Sequence, residues 1–143
     1  MSVRFHPHSG TVLVCDFSTG FRPPEMVKVR PVVVVSPKRH RGAELTTVVP
    51  LSTTRPEPVE SFHHCMDPAS LPGPLANHET WAKCDMLYTV ALERLDRVKV
   101  GKEPSGRRRY VAQSITEEDL AAIREAVRRA LGLDFRGESP EDK

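Results

Sequence analysis

Apolar, β-branched residues fall into three short runs in the first third of the chain, and turn-forming residues separate the runs. The runs cover residues 11–17, 30–36 and 45–51, and the second contains four consecutive valines. A run this short and this uniformly apolar is typical of a strand buried on both faces rather than of a helix. The pattern therefore predicts three strands. The valine strand lies at the centre of a sheet, and the basic turn at residues 38–42 joins it to the third as a hairpin.

Prolines shape the middle of the chain, because each lacks a backbone N–H donor and is excluded from helix interiors and central strands. Pro50 therefore predicts a bulge or an edge in the third strand. Residues 55–80 contain five of the 13 prolines and only one short strand signal, at residues 61–66. An irregular segment of this length is either a functional cover over a site or a tolerated insertion.

The remaining strand signals are short, and the chain then changes to a helical repeat. Strand-like pieces stand at residues 81–84, 87–90, 98–100 and 107–111. Apolar residues then recur at helical spacing, at Leu120, Ile123, Val127 and Leu131. Thr116 precedes this repeat as a cap and Gly132 follows it as a left-handed stop, so a helix is predicted over about residues 117–131.

Several short strands followed by one terminal helix predict a mainly β fold (β+α), namely a small, strongly bent SH3-like β-barrel with the helix on one side. A chain of 143 residues with 38% hydrophobic and 28% charged residues has the size and composition of one globular domain. We therefore expect a single domain over residues 1–133. The polar residues 134–143 lack core-forming spacing and are expected to be a disordered tail.

Charge and cysteine content narrow the class of protein. The net charge of +2 is too small to indicate nucleic-acid binding unless the charge is clustered. No apolar stretch approaches the roughly 20 residues of a membrane span. The amino-terminal segment also lacks the apolar centre of a signal peptide, so we expect a cytoplasmic protein without a membrane partner. The three cysteines show no CxxC spacing, which fits structural thiols in a reducing compartment and argues against a zinc site.

Four segments in order, GTVLVCDF, PEMVKVRPVVVVSP, LTTVVPLSTT and WAKCDM, resemble the PemK/MazF toxin family of bacterial toxin–antitoxin systems. The resemblance covers residues 10–131, and the order of the segments carries it, since an Arg-Pro step before a valine strand occurs in many folds. It implies a homodimeric SH3-like barrel that acts as a sequence-selective endoribonuclease on single-stranded RNA, often mRNA. It also implies cleavage without a metal or other cofactor, and silencing by a cognate antitoxin protein.

Metal-free RNA cleavage through the 2′-hydroxyl needs a base, an acid for the leaving 5′-oxygen, and cations or donors for the developing negative charge. Arg30 stands at the mouth of the valine strand, where a planar guanidinium can hold two phosphate oxygens. The family's catalytic arginine falls on this Arg-Pro step. The competing interpretation is a surface arginine at a strand end.

Hydroxyl residues follow the third strand directly. The resemblance places the family's threonine on Ser52 or Thr53, and which hydroxyl faces the site stays open because adjacent strand residues point to opposite faces. A turn in which the hydroxyl bonds its own backbone is the structural alternative, above all for Thr54. Glu25 matches an acidic position in the family's first loop, where some members have a histidine at the position of Pro24.

Lys83 and Asp85 flank Cys84, so an extended backbone projects them to the same side with Cα atoms about 7 Å apart. Some family members have arginine and aspartate at these positions as acid and base. Lysine cannot offer the bidentate fork of arginine, which weakens phosphate clamping at this point. An ordinary surface ion pair is the alternative.

The basic cluster with Lys38, Arg39 and Arg41 is a candidate for guiding RNA toward the site electrostatically. The resemblance adds Arg22 and Lys28, because the family's RNA-contacting loops include the one between the first two strands. A solvated hairpin tip explains residues 38–41 equally well. The neighbours His63, His64 and Cys65 look like metal ligands, but alternation along a strand separates them, and we predict no metal site.

Two other functions compete with the nuclease. One is a non-catalytic SH3-like binding module that inhibits a protein target such as DNA gyrase, as CcdB-like toxins do. Those relatives rely on a tryptophan at the extreme carboxyl terminus, whereas the single tryptophan here is Trp81, which favours the nuclease. The other is a degenerate RNA-binding relative without toxicity, which the departures at Pro24, Ser52 and Lys83 keep open.

Overall fold

Nine strands, three short 3-10 helices and one α-helix form the regular backbone of the computed structural model, which describes residues 2–38 and 44–133. The strands are β1 (Val12–Asp16), β2 (Val29–Val34), β3 (Leu45–Ser52), β4 (His63–Cys65), β5 (Trp81–Lys83), β6 (Tyr88–Ala91), β7 (Leu95–Asp96), β8 (Val98–Lys102) and β9 (Arg108–Val111). The 3-10 helices span Pro68–Ser70, Gly73–Asn77 and Leu92–Arg94, and α1 spans Glu117–Ala130. Most of the predicted basic hairpin tip and the predicted tail at residues 134–143 lie outside the described residues.

The larger sheet is antiparallel and open. Its strand order is β4-β5-β3-β2-β1-β7, with β6 also paired to β3, and β8 and β9 form a separate two-stranded sheet. The mainly β fold with a carboxyl-terminal helix is therefore confirmed, but the predicted barrel is not closed, since β4 and β7 do not pair in the described structure. The two edge strands contain only three and two residues, too few to complete a ladder around a barrel.

Both faces of this sheet are buried. Val33 packs with Val49 and with Ile123 of α1 on one side, which we call the helix face. Val32 packs with Phe17 on the other side, which we call the aromatic face because Phe17, Phe21 and Tyr88 have ring centroids 5.0–5.6 Å apart there. Since β2 lies between β1 and β3 with both faces covered, the prediction of a central buried valine strand is confirmed.

Pro50 lies in an interior strand, so the prediction of an edge or bulge is wrong. The Thr47 carbonyl accepts a hydrogen bond from the Val35 N–H across the β2 side. Alternation then directs the backbone of Pro50 to the other side of β3. On that side the β6 pairing ends at Val48 and the β5 pairing begins at Leu51. The position of the donor that Pro50 lacks falls in this gap, where the ladder makes no pair.

The helix begins and ends as the sequence predicts. The Thr116 side chain accepts a hydrogen bond from the Asp119 N–H at 3.1 Å, and Gly132 has the positive φ of 70° that ends the helix. This helix, like the shorter ones, is not long and apolar enough to cross a membrane, a finding that concerns the described residues.

The long irregular segment is fastened to the start of α1 through the buried carboxylate of Asp119. One oxygen accepts from the His64 Nε2 at 2.8 Å, and the other accepts from the Asp67 N–H at 3.0 Å and from the Ser70 hydroxyl. Ser70 in turn accepts from the Thr116 N–H at 2.9 Å. We call these five residues the Asp119 network. It occupies every oxygen of a buried charge, which is the condition for such a charge to be tolerated.

Candidate functional site

Sheet register brings several of the predicted site residues to the aromatic face. Val32 pairs with Pro50 across β2 and β3. Arg30 lies two residues from Val32 in β2, and Ser52 lies two residues from Pro50 in β3. Ser52 pairs with Trp81 on β5. Residues directly opposite each other in a sheet share a face, as do residues two apart on one strand. Arg30, Ser52 and Lys83 therefore project to one side of the sheet.

Arg30 is a half-buried cation with unused hydrogen-bonding capacity. Its Nε atom is buried and has no hydrogen-bond partner within residues 2–38 and 44–133. Its cross-strand neighbour is Cys15, and burial raises the pKa of that thiol to about 12, so the thiol is neutral and supplies no countercharge. A guanidinium held without an anion suits an external anionic group, since charged donors bond phosphate strongly.

Lys83 and Asp85 do not form the side-by-side pair that an extended segment would give. The strand β5 ends at Lys83, and Asp85 lies exposed in the turn that follows. Its Oδ1 lies 4.0 Å from the Nε2 of His63, and His63 is the cross-strand partner of Lys83. The carboxylate therefore stands beside a histidine as well as near the lysine.

His63 is the residue that sequence reasoning missed, because its place in the row His63-His64-Cys65 suggested only metal binding. Its Nδ1 accepts a hydrogen bond from the Glu60 backbone N–H at 2.9 Å. A neutral ring bonded in this way carries its proton on Nε2, the atom that faces Asp85. The pairing of His63 with Lys83 depends on the β4–β5 register, and no local sequence signal reveals that register.

The hydroxyl groups of Ser52 and Thr53, the two candidates for the site, differ in their hydrogen bonding. Ser52 is buried, and its Oγ accepts a hydrogen bond from the Thr54 N–H at 3.1 Å. This local turn is the structural alternative to a role in the site that the sequence predicts for these hydroxyl residues. Thr53 is exposed and follows the end of β3, so its hydroxyl is open to solvent while that of Ser52 shapes the strand end.

The loop between β1 and β2 carries three of the predicted residues, all exposed. Glu25 accepts a hydrogen bond from the Arg22 N–H at 2.8 Å, and its own N–H donates to the Arg22 carbonyl at 2.9 Å. Glu25 thus closes the loop on itself. Lys28 and Lys38 are exposed at the two ends of the β2 segment, whereas Arg39 and Arg41 lie outside the described residues.

The part of the chain that the structure describes contains no cluster of metal-ligating side chains. Within residues 2–38 and 44–133, no three His, Cys, Asp or Glu side chains are grouped so that they could hold a metal ion.

The sequence also matches a family model. The family described as PemK-like, MazF-like toxin of type II toxin–antitoxin system matches residues 8–131. The chain belongs to this family. A relative of similar length is the uncharacterized protein YifN of Escherichia coli (strain K12). It is 30% identical over 150 aligned positions, which cover 92% of this chain and 95% of YifN.

Solved structures share the PemK/MazF fold seen here. An endoribonuclease from Mycobacterial species is 23% identical and superposes with a TM-score of 0.61, covering 92% of this chain and 96% of that one. Another structure is an endoribonuclease in complex with its cognate antitoxin, also from Mycobacterial species, at 22% identity and a TM-score of 0.61, covering 91% and 99%. MazF from Deinococcus radiodurans is 20% identical with a TM-score of 0.60, covering 90% and 98%. The chain thus shares its overall fold with these proteins.

Proposed function

We propose that this chain is the toxin of a toxin–antitoxin system and cuts single-stranded RNA, including mRNA, as a sequence-selective, metal-independent endoribonuclease. The observation that carries the proposal is Arg30, a half-buried guanidinium whose Nε has no hydrogen-bond partner among the described residues and which shares a sheet face with Ser52 and Lys83. The RNA substrate and the antitoxin partner are proposed by kinship, since relatives of this fold are described as endoribonucleases and one is bound to its cognate antitoxin.

In the proposed reaction the 2′-oxygen of one nucleotide attacks the adjacent phosphorus, and the bond from phosphorus to the 5′-oxygen breaks. Asp85 takes the proton of the 2′-hydroxyl, and Lys83 gives a proton to the leaving 5′-oxygen. Arg30 donates to the phosphoryl oxygens as their negative charge grows in the transition state. The products are a 2′,3′-cyclic phosphate and a free 5′-hydroxyl.

His63 acts as a positioning residue in this scheme. Its Nε2 proton faces the Asp85 carboxylate across 4.0 Å, and its other nitrogen is fixed by the Glu60 backbone. The imidazole therefore helps to orient the carboxylate. Thr53 is exposed in the bend that follows β3, outside the alternation of the strand. Its hydroxyl holds a phosphate oxygen or orients the 2′-hydroxyl.

The direct test is cleavage of end-labelled RNA in EDTA. We expect cleavage with cyclic phosphate at the new 3′ ends. Arg30→Ala should lower the cleavage rate by about 10²–10³-fold, the usual cost of losing one preorganised charge-stabilising donor. Arg30→Lys should recover only part of it, because a point charge cannot copy the planar fork.

Arg124→Ala is the matched control, since Arg124 is an exposed arginine of α1. It should leave both the rate and the melting temperature unchanged. Activity that needs an added divalent ion would refute the metal-free mechanism. An Arg30→Ala protein that melts normally and cuts at the parent rate would refute the proposed site.

A homodimer belongs to the same proposal and follows from family resemblance. Light scattering at micromolar concentration should give twice the chain mass of 16.0 kDa. A mass equal to that of one chain would contradict it.

A further inference from the structure

Positive charge is concentrated on the β8–β9 hairpin rather than spread over the molecule. Residues 97–111 contain six basic residues and one acidic residue, a net charge of +5. Since the whole chain has a net charge of +2, the rest of it carries −3. We infer that this hairpin is a second RNA-binding surface, which holds the RNA backbone outside the candidate site.

The cationic side chains of the hairpin are available to bind an anionic ligand. Five of them form no side-chain hydrogen bond or ion pair with any residue that the structure describes, namely Lys99, Lys102, Arg107, Arg108 and Arg109. The helix α1 offers a contrast within the same molecule, because Arg128 and Arg129 both reach Glu125 there, at 3.8 and 3.7 Å. Cations that are exposed and unpaired are the ones that can exchange counterions for phosphates.

Strand pairing arranges the hairpin cations in a row next to an aromatic ring. Lys102 pairs with Arg108, and Lys99 pairs with Tyr110. The Arg97 guanidinium lies over the Tyr110 ring, 5.8 Å from its centroid. Arg97, Tyr110 and the three hairpin arginines line one shallow surface groove, together with Glu103 and Val111.

This combination fits RNA better than an acidic protein segment. Guanidinium groups bond two phosphate oxygens at once, and an aromatic ring with an arginine plane beside it is a platform on which an unpaired base stacks. An acidic peptide would neutralise the charge but would make no use of the ring. The groove therefore matches a single strand, with phosphates on the arginines and a base at Tyr110.

The hairpin and Arg30 lie toward opposite faces of the sheet. Val98 and Val100 pack into the core of the helix face, whereas Arg30 projects to the aromatic face. A strand held at the hairpin must continue around the molecule to reach Arg30, so the surface serves RNA longer than the cleavage site itself. The inference rests on the proposed function for the choice of RNA as ligand.

The test measures binding of a long polyuridine RNA by fluorescence anisotropy over a salt series, in an Arg30→Ala background so that cleavage cannot intervene. The hairpin variant combines Arg107→Gln, Arg108→Gln and Arg109→Gln. It should bind about tenfold or more weakly, with a salt slope lower by about two, near 0.7 per lost phosphate contact on a single strand. Tyr110→Leu should weaken binding about tenfold with an unchanged salt slope, because stacking releases no counterions.

A matched control removes the same charge from α1 by Arg124→Gln, Arg128→Gln and Arg129→Gln. We expect less than about a twofold change in affinity from it, since a change in net charge alone is a weak long-range effect at moderate salt. Equal losses in the two triple variants, or no loss in the hairpin variant, would overturn the inference. Competition by polyglutamate at equal charge concentration would reassign the surface to acidic protein segments.

These experiments distinguish failure of the binding inference from failure of the proposed cleavage reaction. A chain that binds RNA through the hairpin but never cuts it would retain this inference and refute the proposed reaction. In the native Arg30 background, the hairpin variant should retain cleavage of a saturating short RNA and lose cleavage of dilute long RNA. Melting temperatures of all variants should match their backgrounds.

Discussion

His63 and His64 are neighbours in β4, yet they lie in two regions whose polar groups are satisfied in opposite ways. His64 bonds Asp119, where both carboxylate oxygens are occupied by protein donors. His63 faces Asp85 at 4.0 Å, next to Lys83 and on the face that bears Arg30. In the Asp119 network every donor has a partner within the chain, whereas the Arg30 Nε has none among the residues that the structure describes.

The difference separates a structural polar cluster from a binding one. Completing the bonds of a buried carboxylate stabilises one arrangement of the chain and leaves nothing for a ligand. Holding a guanidinium half-buried without a partner costs stability, and an anionic ligand can restore the missing bonds. If the two regions divide stability and activity between them, variants of the Asp119 network should change stability, and variants on the Arg30 face should change activity.

The largest effect on stability is expected from Asp119→Ala. Removing the carboxylate leaves the donors of His64, Asp67 and Ser70 without their acceptor, so the free energy of unfolding should fall by about 3–5 kcal/mol. Urea denaturation measures this free energy of unfolding. Glu118→Ala, an exposed neighbour in the same helical turn, should change it by less than about 0.5 kcal/mol. Equal effects of the two variants would remove the network as a fastening point.

The two histidines should divide activity from stability. His63→Leu should lower the cleavage rate by up to about 10²-fold through a misplaced Asp85 and should change the pH dependence of the rate, with partial rescue by His63→Gln, which keeps an N–H donor. His64→Leu should leave the rate of the folded protein unchanged and lower the free energy of unfolding by about 1–3 kcal/mol. The cleavage rate and the urea midpoint of both variants are measured on the same preparations. Similar changes in the two variants would contradict this division.

A smaller effect should distinguish the two hydroxyls. Ser52→Ala removes the acceptor of the Thr54 N–H and should cost about 1 kcal/mol of stability, with the cleavage rate unchanged. Thr53→Ala should leave stability unchanged and lower the rate about fivefold to tenfold, the worth of one neutral hydrogen bond. Exchange of these two outcomes would assign the site hydroxyl to Ser52.

The smallest effect at neutral pH concerns one buried thiol on each face of the sheet, Cys15 and Cys84. Burial raises the pKa of both from 9.0 to about 12. The unfolded chain therefore loses these protons first, so the stability that the neutral thiols contribute is complete below about pH 9 and declines as the pH rises toward 12. Urea unfolding from pH 7 to 10.5 should reveal the decline. The Cys15→Ala, Cys84→Ala double variant should lack this part of it, and an identical decline in that variant would contradict the prediction.

Much of the local structure was predictable from the sequence, because the signals are short-range. The valine strand follows from four consecutive β-branched residues, and α1 follows from its apolar spacing between a Thr116 cap and Gly132. These features depend on residues close together in the chain. Arg30 at the start of its strand also follows from sequence, through the Arg-Pro step and the family resemblance that contains it.

Only the tertiary structure decided which residues meet. Alternation along β4 implies that His63 and His64 face opposite ways, but the β4–β5 register decides which one reaches Lys83 and which reaches Asp119. The same non-local pairing sets the gap in which Pro50 is tolerated and leaves the sheet open at β4 and β7. Register between distant strands depends on the packing of both sheet faces against the whole chain, and a shift of one residue would exchange the two histidines.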